Sequence, residues 1–102
     1  MKRIGRIAFV KADKIKEYTA WHFNVYPEVE DLLRQAGIRN YTIFLSGRTL
    51  FSYLETDDWK AAVDFLSGQH ACDQWQELLA PLMDATDPNS PWELMDEVFH
   101  LS

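Results

Sequence analysis

Residues 17–33, EYTAWHFNVYPEVEDLL, read as one long helix interrupted by Pro27. Before the break, Ile15, Tyr18, Thr19 and His22 follow the i, i+3, i+4, i+7 spacing of one helix face, and beyond it Val29, Leu32, Leu33 and Ala36 repeat the pattern. Each segment is therefore expected to turn one face inward. Proline lacks the N–H that would continue the ladder and drives Tyr26 toward extended geometry, so the first segment should end or kink near residues 24–26. Glu28 and Glu30 suit the positive end of the restarted helix, and Gly37 is its expected stop.

Working outward, RIGRIAFVK (3–11) is dense in β-branched and apolar residues and reads as the first strand, followed by Asp13 as a candidate helix cap. IRNYTIFL (38–45) and TLFSYLE (49–55) are two further strands joined by SGR, a hairpin with Gly47 in its turn. DDWKAAVDFLSG (57–68) predicts a helix that turns Trp59, Ala62, Val63 and Leu66 to one side and ends at Gly68. QHACDQWQELLAPLM continues as another helical piece with Cys72, Trp75, Gln76 and Leu79 on one stripe, stopped at Pro81 or soon after. DATDPNSP is loop-like, and a last strand is expected around residues 94–101.

The order is β-α-β-β-α-β with an extra short helix, an α+β arrangement of the ferredoxin-like kind with helices on one face of an antiparallel sheet. The opposite sheet face then lacks cover within the chain. A second copy would cover it, which predicts a two-fold homodimer in which the sheets form a dimeric α/β barrel.

The 102 residues suffice for one domain, 1–102, and 47% of them are hydrophobic, including four Trp, four Tyr and six Phe. Such a chain can build a core and still spare aromatics for a pocket. A formal charge of −6 opposes binding to nucleic acid or an anionic membrane surface. The single cysteine, Cys72, cannot form an internal disulfide, and no apolar run is long enough for a signal peptide or a transmembrane helix. A cytoplasmic setting is the expectation. No Cys or His pair has metal-ligand spacing, and no glycine-rich phosphate loop or repeat is present, so any chemistry is expected to be simple.

Tyr18 and His22 are four residues apart and thus neighbours on one helix face, where they can touch one small ligand together. Histidine gives or takes protons near neutrality, and tyrosine adds a hydroxyl and an apolar ring. The same pair can equally fill a helix–sheet interface. Trp75, beside Gln76, can wall a cavity by stacking on the C–H face of a sugar ring while the amide bonds hydroxyls, or can simply pack in the core. Tyr41 can present its hydroxyl to the same cavity if it faces Tyr18. His70 and His100 have no partner at a recognisable spacing and read as solvated or structural, Cys72 as a small buried filler, and Glu28, Glu30 and Asp31 as a solvated helix start.

EYTAWHFNVYPEVEDLLRQAGIRNYTIFL, the later CDQWQ, the loop DPNSP and the ending EVFHL together resemble the L-rhamnose mutarotase family, in order and with compatible spacing. The specific combination is Y-x-x-x-H, then W/Y-P-E, then N-Y before a strand, then N-S-P before a last strand. The resemblance implies a dimeric ferredoxin-like fold and a cofactor-free isomerase that interconverts the α and β anomers of a 6-deoxy sugar. It implies His22 as proton donor and Tyr18 and Tyr41 as sugar contacts. Where a member of that family has two adjacent pocket tryptophans, this chain has Trp75 and Gln76, a departure that bears on which sugar fits.

The expected function is thus a mutarotase for L-rhamnose or a close 6-deoxy hexose, with a monosaccharide as its partner molecule. An amide in place of an indole keeps another sugar, such as L-fucose, in view. A non-catalytic ligand-binding dimer and a cofactor-independent oxygenase acting on an aromatic substrate are the rivals from other classes, because one scaffold hosts many functions.

Overall fold

The computed structural model describes residues 1–102. Strand β1 (Lys2–Phe9) leads into helices α1 (Ile15–His22) and α2 (Pro27–Gln35); β2 (Arg39–Ser46) and β3 (Thr49–Thr56) form a hairpin; α3 (Trp59–Leu66) and α4 (His70–Leu79) follow, and β4 (Glu93–Met95) closes the chain. The sheet order is β2-β3-β1-β4 and every pair is antiparallel. This is the order in which two β-α-β halves interleave, so the ferredoxin-like α+β expectation holds for the single chain.

Pro27 ends one helix and starts another. Its fixed φ suits the first position of α2, where a missing N–H costs nothing, and Tyr26 before it is extended at φ −58°, ψ 127°. The first helix stops at His22, ahead of the expected break at residues 24–26, and the intervening turn brings Tyr26 within 6.4 Å of the Trp21 ring. Gly37, at φ +83°, turns the chain out of α2 into β2, a backbone region that disfavours a side chain.

Several expectations need correction. Asp13 does not cap α1; Lys14 occupies that position without a side-chain bond. Thr19 is exposed, and its hydroxyl bonds back to the Ile15 carbonyl instead of packing inward. Val63 and Gln76, at the margins of their stripes, are also exposed. The last strand spans only Glu93–Met95, paired with Gly5–Ile7 of β1; beyond it Val98, Phe99 and Leu101 are 92%, 77% and 80% exposed.

Side chains alternate across a strand, so Ile4, Arg6 and Ala8 of β1 and Leu50, Ser52 and Leu54 of β3 face the helices. They build two apolar clusters. Ala8, Val10, Tyr18, Leu50, Leu82 and Met83 form one; Ile38, Leu54 and Ala62 form the other. Val10, Leu50 and Leu54 are fully buried, each worth roughly 1.5–3 kcal/mol on the usual scale of apolar burial. Between the clusters lies a polar rung, where Arg6 faces Ser52 across the β1–β3 ladder. On the opposite sheet face Phe9, Phe44, Phe51 and Met95 are 41%, 62%, 39% and 39% exposed, so that face is apolar and uncovered. No helix is long and apolar enough to cross a membrane.

Candidate functional site

A groove of about 550 Å³ opens between the sheet and the helix layer, with Arg6, Tyr18, His22, Tyr41, Trp75 and Trp92 among its walls. It sits where the polar rung interrupts the core. A smaller lobe of about 340 Å³ adjoins it, sharing His22, Tyr41 and Trp75 and running under α2 beside Val29 and Leu33.

Helix α1 delivers Tyr18 and His22 to this space from successive turns. Their rings stack at 4.2 Å, and His22 Nδ1 lies 2.8 Å from the Tyr18 carbonyl oxygen. A carbonyl can only accept, so Nδ1 carries the proton and the neutral ring presents the Nε2 lone pair. Burial holds the His22 pKa below its ordinary value, and the bond to the Tyr18 carbonyl opposes this without reversing it. The side chain is therefore a neutral base of fixed tautomer. Burial also pushes the Tyr18 phenol above its ordinary value, with Tyr41 adding to the rise and the Arg6 guanidinium opposing it. Tyr18 is thus a neutral hydrogen-bonding group at any physiological pH.

Trp75, from α4, meets His22 edge-on at 5.7 Å, Trp21 at 6.3 Å and Tyr26 at 5.0 Å. The break before Pro27 makes this possible, because it folds Tyr26 back against the same indole that Trp21 and His22 reach from the end of α1. The result is a wall of interlocked aromatic rings whose indole is held from three sides. Gln76 follows on the outer lip of the groove, exposed.

Tyr41 enters from β2 at an irregularity in its pairing with β3, where Asn40 adopts φ +52° and bonds Glu55 at 2.7 Å. Such a bulge re-aims side chains, and Tyr41 points to the helix side, its hydroxyl accepting a 2.6 Å bond from Arg6 Nη2. All five residues singled out from the sequence, Tyr18, His22, Tyr41, Trp75 and Gln76, border one groove. His70 and His100 are exposed and lie away from it. Cys72 borders it half-buried, with its thiol pKa raised by burial, the opposite of an activated nucleophile.

The sequence reading missed Arg6, Trp59, Asp73 and the Asn89–Trp92 segment, all of which border the groove. A signal for Arg6 was present: a cation at the even position of β1 between Ile4 and Ala8, on the face that should be apolar. Trp59 and Trp92 had no such signal, since only the fold brings the start of α3 and the entry to β4 together around Arg6.

Comparison with known proteins adds to this geometry. A family model described as L-rhamnose mutarotase matches residues 3–101. The chain is similar to the L-rhamnose mutarotase of Lactiplantibacillus plantarum, 36% identical over 104 aligned positions covering 99% of each chain. It is 37% identical to that of Bacillus subtilis, again over 99% of each chain. Among solved structures, an L-rhamnose mutarotase from Formosa agariphila matches with a TM-score of 0.85 at 23% identity over all of both chains. An antibiotic biosynthesis monooxygenase matches with a TM-score of 0.59 at 20% identity, over 96% of this chain and 99% of the other. At these identities the two structures speak for the shared fold.

Proposed function

The chain belongs to the L-rhamnose mutarotase family, and we propose that it is an isomerase that interconverts the α and β anomers of L-rhamnose in the groove between its helices and sheet. The observation that carries the reading is the neutral, tautomer-fixed His22 beside Tyr18 and against the Trp75 wall.

Mutarotation moves one proton and opens one ring bond, with no net oxidation. His22 Nε2 takes the proton of the anomeric hydroxyl as the bond between the anomeric carbon and the ring oxygen breaks. The anomeric oxygen becomes an aldehyde, and the electron pair leaves with the ring oxygen, which receives the proton back from the imidazolium. The two oxygens share one carbon, so one nitrogen serves both transfers. Rotation about the bond next to the aldehyde presents its other face, and the same steps in reverse close the ring as the opposite anomer. Tyr18 and Tyr41 orient the sugar by hydrogen bonds, Trp75 stacks on its C–H face and Gln76 contacts a hydroxyl at the lip.

The working form is a homodimer in which the uncovered sheet faces pack together and close an α/β barrel. Phe9, Phe44 and Phe51 form an apolar surface of the kind that a symmetric partner covers. The free Cys72 and the absence of a disulfide suit a reducing cytoplasm.

Polarimetry of freshly dissolved crystalline L-rhamnose tests the activity. Catalytic amounts of the protein should shorten the approach to the equilibrium rotation. An unchanged rate for L-rhamnose alongside acceleration for L-fucose would reassign the sugar, and no acceleration for either would overturn the reading.

A further inference from the structure

The polar rung of the core is chemically unusual. Arg6 is half-buried, and its guanidinium lies 5.5 Å from the Tyr41 ring centroid, 5.3 Å from that of Trp59 and 4.8 Å from that of Trp92. Its hydrogen bonds go to two hydroxyls, from Nη2 to Tyr41 at 2.6 Å and from Nε to Ser52 Oγ at 3.2 Å. Arginines 3, 34, 39 and 48 each have a carboxylate partner, but Arg6 has none. The cation is thus held by neutral groups alone.

Taking a cation out of water is costly unless it is paired, and aromatic faces with two hydroxyls recover only part of that cost. An aliphatic residue between Ile4 and Ala8 would join the two core clusters and stabilise the fold more cheaply. Retaining a guanidinium there makes sense if its positive charge is used. A guanidinium has five N–H donors, of which Tyr41 and Ser52 occupy two, and Arg6 borders the same groove as Tyr18 and His22.

The proton transfer described above creates such a use. While His22 holds the proton, negative charge passes from the anomeric oxygen to the ring oxygen, and apart from that imidazolium Arg6 is the one cationic side chain among the residues that border the main groove. We propose that Arg6 contacts the sugar and stabilises this negative charge, as a preorganised cation in a partly dehydrated site. The arrangement has a second effect on Tyr41: its oxygen accepts from Arg6, so its own hydroxyl proton is left to be donated into the groove. The assignment rests on the mutarotase reading and adds an electrostatic element to it.

A fixed charge that acts on the transition state alters kcat more than KM. Exchange of the L-rhamnose anomers is measured by NMR for wild type, Arg6→Met and Arg6→Lys, with circular dichroism to check the fold. Arg6→Met should lower kcat by about 10²–10³-fold, and Arg6→Lys should regain at least about tenfold of that loss, in keeping with the usual worth of one preorganised electrostatic group. Should the Met variant fail to fold, Arg6→Gln replaces it in the comparison with Arg6→Lys. A kcat within about threefold of wild type in the folded neutral variant, or a loss confined to KM, overturns the assignment of Arg6 alone. No exchange by the wild-type protein overturns the mutarotase reading and this assignment with it.

Discussion

His22 Nδ1 donates to the Tyr18 carbonyl at 2.8 Å while the two rings stack at 4.2 Å, so one residue of the pair sets both the tautomer and the tilt of the other. The backbone oxygen chooses the nitrogen that faces the groove, and the phenol ring fixes the plane in which it lies. The first prediction follows from this division. Tyr18→Phe keeps the stacked ring and the carbonyl, so it should lose only one neutral hydrogen bond to the sugar, roughly 2–10-fold in kcat/KM. Tyr18→Ala empties a buried site and should destabilise the protein by about 3–5 kcal/mol, measured by urea titration.

Burial lowers the His22 pKa, and in the proposed mechanism the base form is the active one. The kcat/KM profile should therefore rise with pH to a plateau, with its midpoint below about 6.5, the ordinary histidine value. Stability follows the same sign. Below about 6.5 the unfolded chain binds a proton at this residue that the folded chain resists, so His22 makes the fold less stable as pH falls through that window and contributes no pH dependence above it. Titrating the His22 ring protons by NMR checks the direction, and a midpoint above 6.5 would contradict it.

The uncovered sheet face supplies a test of assembly. Phe51→Asp places a carboxylate among Phe9, Phe44 and Met95 on a face that carries no part of the groove. Sedimentation should show the wild type as a dimer and the variant shifted to monomer, whereas a monomeric wild type would remove the barrel from the account.

Asp58 accepts the Ala61 N–H at 3.1 Å and starts α3, which holds Trp59 against Arg6. Asp58→Ala should cost about 1 kcal/mol, visible as a fall in Tm of roughly 4–8 °C, with the anomer exchange rate largely kept.

Much of this was legible in the sequence because it rests on local rules. The apolar runs and the Gly47 turn mark β1, β2 and β3, and Pro27 marks the break because a proline cannot donate the next helical bond. The four-residue spacing of Tyr18 and His22 places them together wherever that helix packs. What was not legible depends on tertiary placement. Thr19 and Gln76 fall on the margins of helix stripes, where a few degrees of rotation decide burial. The tail after Met95 has apolar residues, but Val98, Phe99 and Leu101 are left exposed, with no packing to hold them in a strand. The site around Arg6 combines β1, β2, α3 and the approach to β4, and no sequence spacing records that they meet.

His22 is proposed to carry the proton between the two oxygens of the anomeric carbon. NMR saturation transfer between the α and β anomeric protons of L-rhamnose, with catalytic amounts of wild type and of His22→Ala, tests this. Enzyme-dependent transfer should fall by about 10²–10⁴-fold in the variant, the usual worth of a positioned acid–base group, while the variant still binds the sugar. Transfer that persists undiminished in His22→Ala would contradict it.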